Sequence, residues 1–175
     1  MALSLNAADS CKFLSVIINY TASSSTVLTL EIEDISGNTI AVPVTFTIDP
    51  GSGPISYPIP ITNLSITNGL VTVKLKTDTG NVVEDGEKSV LLHCDIDCCL
   101  TKLTNELIDC HCDCARCSIA LAKAQKVFLL IDSADYAIVQ ANSATTSAKP
   151  GFLQDANSKY LKAKEVCDDS CGCNC

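Results

Sequence analysis

Near Cys94 the spacing of apolar residues changes from every second position to every third or fourth, and this change divides the chain in two. Before it, Thr26 to Ile35 alternates Leu28, Leu30 and Ile32 with Thr29, Glu31 and Glu33. A period of two places the apolar set on one face of a strand and leaves the charges on the exposed face. Ile40, Val42, Val44, Phe46 and Ile48 alternate in the same way, as do Val71, Val73 and Leu75 against Thr72, Lys74 and Lys76. Lys12 to Asn19 and Val90 to Leu92 add two further runs. Ile55, Tyr57, Ile59 and Ile61 alternate with Pro54, Ser56, Pro58 and Pro60. A proline cannot donate to a ladder, so this stretch reads as an edge strand or an extended loop. Turn residues at Ser36-Gly37-Asn38, at Asp49 to Gly53, at Thr67-Asn68-Gly69, at Asp78 to Asn81 and at Asp85-Gly86 separate the runs. About seven short strands spaced by turns predict an antiparallel β-sandwich, or else an open barrel, over residues 1–92.

After Cys94 the period is helical. Ile96, Leu100, Leu103 and Leu107 form one stripe. Ala120, Ala124, Val127, Ile131, Ala134 and Ile138 follow a regular seam with small residues where helices approach closely. A loop from Asn142 to Gly151 precedes a third stripe, Phe152, Ala156, Tyr160, Ala163 and Cys167. Short connections predict antiparallel neighbours, so residues 93–175 read as a helical hairpin or three-helix segment. The chain as a whole is thus expected to be α+β. Such short helices are marginal alone and need burial or cross-links to hold them.

The cysteines supply candidates for that role. Eleven of the twelve lie in the second part, and only Cys11 lies in the first. They form three clusters at the expected helix ends: Cys94, Cys98 and Cys99; Cys110, Cys112, Cys114 and Cys117; and Cys167, Cys171, Cys173 and Cys175. Cys94 and Cys98, four apart, face one side of a helix. Cys114 and Cys117 have the spacing of a metal knuckle, while Cys110-x-Cys112-x-Cys114 and Cys171-x-Cys173-x-Cys175 alternate as thiolate loops do. His93 and His111 stand beside the clusters and are candidates to complete a shell. In a chain made in a reducing cytosol, all eleven read as ligands of structural zinc. Disulfides stapling the helix ends are the alternative, each contributing about 2–4 kcal/mol once the protein meets oxidising surroundings, and reduced, partly buried cysteines packing as small apolar residues are a third reading.

Charge and motifs remove several functions. Twenty acidic against twelve basic residues give −8, without a basic cluster, which argues against nucleic acid and anionic membranes as partners. The longest apolar run, Val127 to Ile131, is far short of the roughly 20 residues that span a bilayer. Residues 1–10 lack the basic and apolar regions of a secretory signal. Asp95 and Asp97 suit the positive end of a helix better than acid–base catalysis, and the cysteines and histidines lack a third orienting group for a nucleophile. No catalytic residues are identified, and an enzyme is not expected.

The segments Cys112-Asp113-Cys114-Ala115-Arg116-Cys117, Ala122 to Leu130, Lys159 to Lys164 and Cys171-Gly172-Cys173-Asn174-Cys175 resemble small cysteine-rich virion-associated proteins of tailed bacteriophages. The resemblance covers about residues 92–175. It implies a structural protein in the tail, neck or capsid surface, with other virion proteins and copies of itself as partners. The helical part would dock while the β module is presented or self-associates. Two alternatives come from the residues themselves. Tyr20 and Tyr57 are candidate aromatic platforms of a glycan- or surface-binding adhesin, and the cysteines suit a cytosolic zinc-binding regulator.

Overall fold

A computed structural model describes residues 2–9, 11–109 and 114–168. The protein is α+β: seven strands in two antiparallel sheets, followed by three helices. It divides into two compact units, Met1–Leu92 and His93–Cys175.

In the first unit, β1 (Ala2–Asp9), β2 (Phe13–Ala22) and β5 (Gly51–Pro60) form one sheet in the order β1-β2-β5. The other sheet runs β4-β3-β6-β7, from β4 (Val44–Ile48), β3 (Thr26–Asp34), β6 (Gly69–Thr77) and β7 (Val82–Leu92). Their inner faces share one core, with Leu5, Leu14, Val16 and Ile18 meeting Leu30, Ile32, Val71, Val73 and Leu75. Burying each such side chain stabilises the unit by about 1.5–3 kcal/mol. On the outer face, the β3–β6 register brings Lys74 Nζ within 2.5 Å of Glu33 Oε2 and pairs Lys76 with Glu31. The lysine stems cover Glu33 so well that it is only 9% exposed, less open than a strand's outer face ordinarily leaves a charge.

Three departures from the sequence reading, at β1, β4 and β7, have local causes, and the edge-strand reading of β5 holds. Strand β1 arises from Ala2 to Asp9, whose weak alternation of Leu3 and Leu5 with small residues gave little signal. The expected strand Ile40 to Ile48 shortens to Val44–Ile48, because Pro43 removes a donor and restricts Val42. Ile40 is still buried, tied by its N–H to the Ile32 carbonyl. Strand β5 is an edge strand, and Pro54, Pro58 and Pro60 share one parity opposite Asn19, Ser15 and Phe13. The ladder to β2 is left to the odd-numbered residues, so the missing donors fall on the open edge, where they deter pairing with foreign strands. Asp85-Gly86 does not end a strand but lies within β7 as an irregularity opposite Leu75, with Asp85 at φ 57°.

The second unit holds α1 (Cys94–Asp109), α2 (Cys114–Ser143) and α3 (Lys149–Asp168). The start of α1 is built as helix physics asks: Asp95 and Asp97 lie in the first turn, and the His93 carbonyl accepts from the N–H groups of Ile96 and Asp97. Ile96, Cys99 and Leu103 are the buried stripe of α1, whereas Leu100 is turned partly outward. On α2 the seam Ala120, Val127, Ile131, Ala134 and Ile138 is buried, joined by Ala137 and Ala141. On α3, Ala156, Tyr160, Ala163 and Cys167 are buried. The connection between α2 and α3 is shorter than the sequence suggested. Pro150 and Gly151 open α3 rather than closing the loop, since a proline in the first turn forfeits only an N–H that has no helical partner.

Candidate functional site

Four cysteines of the helical unit are oxidised. Cys99 of α1 and Cys167 of α3, both buried, form a disulfide with Cα atoms 5.8 Å apart. Cys98 and Cys117 are disulfide-bonded as well. Zinc binding at these four positions therefore gives way to the disulfide alternative, because the metal ligand is a thiolate and a sulfur in a disulfide carries no such charge. Cys94 is half-buried at the start of α1, and Cys114 opens α2 with its side chain outside the described residues. Cys110, Cys112, Cys171, Cys173, Cys175 and His111 also lie outside them. Among the described residues, no group of three His, Cys, Asp or Glu side chains is arranged to hold a metal ion. His93 keeps its Nδ1 3.3 Å from Asp97 Oδ1, an approach without the alignment of a hydrogen bond.

A polar contact supports the disulfide. The Tyr160 hydroxyl, on α3, donates to Asp95 Oδ2 at 2.9 Å, and Lys164 Nζ lies 3.7 Å from the same oxygen. Burial first, and the Asp95 charge second, hold the Tyr160 phenol well above its ordinary range. The covalent tie and this buried contact together fasten the beginning of α1 to the end of α3.

With that frame fixed, α2 carries more apolar surface than its neighbours cover. Val127 to Ile131 is a run of five apolar residues, more than one full turn of helix, so it cannot face a single partner. Val127 and Ile131 are buried, while Phe128 and Leu129 are 63% and 67% exposed. Leu121, Phe128, Tyr136 and Val139 share one face of α2, at intervals of seven, eight and three, and all are exposed. The row is about 27 Å long at 1.5 Å per residue. Beside it, Leu100 and Thr104 of α1 with Ala124 and Gln125 of α2 line a groove of about 560 Å³ that Phe128 and Leu129 border. Sequence reasoning followed the buried seam and missed this second row. The five-residue run was the signal that could have found it.

The charge within the row itself is negative. Asp132 lies within it, and Asp135 and Asp97 lie close by. Although the Asp135 side chain is exposed overall, partial desolvation raises its carboxyl above the ordinary range. His93 opposes that rise, while Asp132 and Asp97 add to it. Lys123 and Lys126 stand on a different side of α2, where they and Ala122 line a groove with Val166 of α3.

The β unit has a separate cleft of about 510 Å³ between the β4 and β5 edges. Leu30, Ile32, Val42, Val44 and Ile59 make its walls aliphatic, and Tyr57 and Asn63 are the hydrogen-bonding side chains of its lining. Tyr57 leans on Phe46, with ring centroids 4.9 Å apart. Tyr20, paired opposite Leu3 and Gly53, does not line this cleft.

No family model matches the chain, and no curated protein matches it. Among solved structures, a family 76 glycoside hydrolase from a bovine Bacteroides thetaiotaomicron strain is similar over 91% of this chain, at 7% identity and a TM-score of 0.33. The chain spans 37% of the length of that protein.

Proposed function

We propose that the protein is a non-enzymatic structural component of a bacteriophage particle, whose helical unit docks into the assembly while the β unit is presented or packs against copies of itself. The observation that carries this reading is the exposed apolar row of α2. A face holding Leu121, Phe128, Leu129, Tyr136 and Val139 in the open is costly to keep wet and is the ordinary mark of an interaction surface. The disulfides support the same reading, since such bonds persist in the oxidising surroundings of a released particle and not in a reducing cytosol. The likeness of residues 92–175 to virion proteins points in that direction too.

The test is direct. Particles purified on a density gradient from lysed cells that carry this gene should contain the chain at a fixed ratio to the other particle proteins. A chain that never sediments with particles or with any larger assembly overturns the proposal. A second reading, a surface-binding module, draws on the β4–β5 cleft, where Tyr57 stands among aliphatic walls. That lining offers stacking and few hydrogen bonds, so glycan-array binding by residues 2–92 that disappears in Tyr57→Ala would favour it.

A further inference from the structure

We infer that the partner seated on the α2 row is a basic amphipathic helix, with apolar residues filling the groove beside Phe128 and a Lys or Arg meeting Asp132. This inference rests on the docking role proposed above and names the chemistry of what docks.

The shape of the site sets the first requirement. A straight row about 27 Å long with a groove alongside it suits another helix, whose residues at intervals of three and four match those of α2. Phe128 and Leu129 stand out on one side, and the groove floored by Leu100 and Ala124 lies next to them. The incoming helix therefore receives two knobs and contributes its own to the groove.

Charge sets the second requirement and decides between occupants. Asp132 sits between Phe128 and Tyr136 in the row, so any helix laid on this face desolvates its carboxylate. Asp135 and Asp97 lie close enough to influence one another, and partial desolvation already weighs on Asp135. No Lys or Arg lies in the row, since Lys123 and Lys126 belong to the groove with Val166. A second copy presenting the same row would bring another Asp132 and no base, in a molecule whose net charge is already −8. An anionic membrane fails for the same reason. The occupant must itself supply the positive charge, and an amphipathic helix edged with Lys or Arg does so.

The experiment uses the full disulfide-bonded chain and a fluorescein-labelled synthetic helix of about 18 residues, the length of the row. One probe carries Leu on one face and Lys along its edges, a second has every Lys replaced by Glu, and a third scrambles the Lys probe. The Lys helix should bind at least about tenfold tighter than either control, the difference of one desolvated charge pair. Asp132→Asn should weaken it by about tenfold, Asp132→Lys should shift the preference toward the Glu helix, and Phe128→Asp should abolish binding. Both sites are exposed, so unchanged far-ultraviolet circular dichroism will show that the variants are folded. Equal binding of the scrambled probe, or indifference to Phe128→Asp, would mean attraction by net charge alone and overturn the inference. Sedimentation showing a dimer that Phe128→Asp dissolves would assign the face to a second copy and overturn it equally. Association with particles, measured separately, decides the structural role in either case.

Discussion

Replacing both Cys99 and Cys167 by alanine tests what fastens the helical unit. The bridge closes a loop with a sequence separation of 68. The chain-entropy relation for a loop of that length gives about 4.4 kcal/mol at room temperature, drawn from restriction of the unfolded chain. Two corrections act in opposite directions. Both sulfurs are buried, so their removal also forfeits packing of about 1 kcal/mol. Cys98 and Cys117 remain bridged, so the freed chain regains less entropy than an open loop would. The expected loss is about 2–4 kcal/mol, a large share of the roughly 5–15 kcal/mol that holds an ordinary domain folded. Equilibrium urea unfolding without reductant, followed by far-ultraviolet circular dichroism, reads it directly. The steepness of the transition should also rise, because a less constrained unfolded chain exposes more surface. A loss below about 1 kcal/mol with unchanged steepness would refute the reasoning and move the burden to the remaining bridges.

Gly86→Ala places a Cβ 2.8 Å from the Val83 carbonyl oxygen and 3.2 Å from that of Leu75, both backbone atoms that cannot turn aside. It should destabilise the β unit by about 1–3 kcal/mol in thermal or urea unfolding, and a neutral result would show that β7 shifts freely there. Tyr160→Phe removes the donor to Asp95 and should cost about 1–3 kcal/mol in the helical unit. It should also change the alkaline limb. The folded phenol titrates above its unfolded value of 10.0, so its contribution is whole below that pH and is lost as pH rises through the folded value. The wild-type protein should therefore weaken above about pH 10 more steeply than the variant, and parallel curves would count against the buried contact.

Legibility in the sequence depended on how purely each segment expressed one period. Strands β3 and β6 alternate without interruption and were read where they lie. In β1 the alternation is diluted by Ala7 and Ala8, and in β7 the Asp85-Gly86 pair imitates a turn while serving as an irregularity inside a strand. Helix burial was legible for Ala156, Tyr160, Ala163 and Cys167, because α3 packs through one stripe. It was less so on α1, where Cys99 takes the buried place expected of Leu100, since residues one apart differ by only 100° around a helix. The α2 row stayed hidden because a sequence shows that a residue is apolar but not whether a neighbour exists to cover it. The redox state of the cysteines is equally beyond spacing, which metal loops and disulfide staples share.

The Cys99–Cys167 bond also determines how the chain carries tension. A pull entering from the β unit passes Leu92 and reaches Cys99 within half of α1, and there the bond offers a covalent route straight to the end of α3. For a load between the β unit and a point beyond Cys167, the stretch spanned by that sequence separation of 68 is bypassed, so roughly 240 Å of chain at full extension is withheld from stretching. Helix α2, whose outer face is proposed to grip the assembly, lies inside that loop, so a load between the β unit and α2 is shared by two arms, one through α1 and one through the bond and α3. Those two arms divide a tension that the α1 connection would otherwise carry alone.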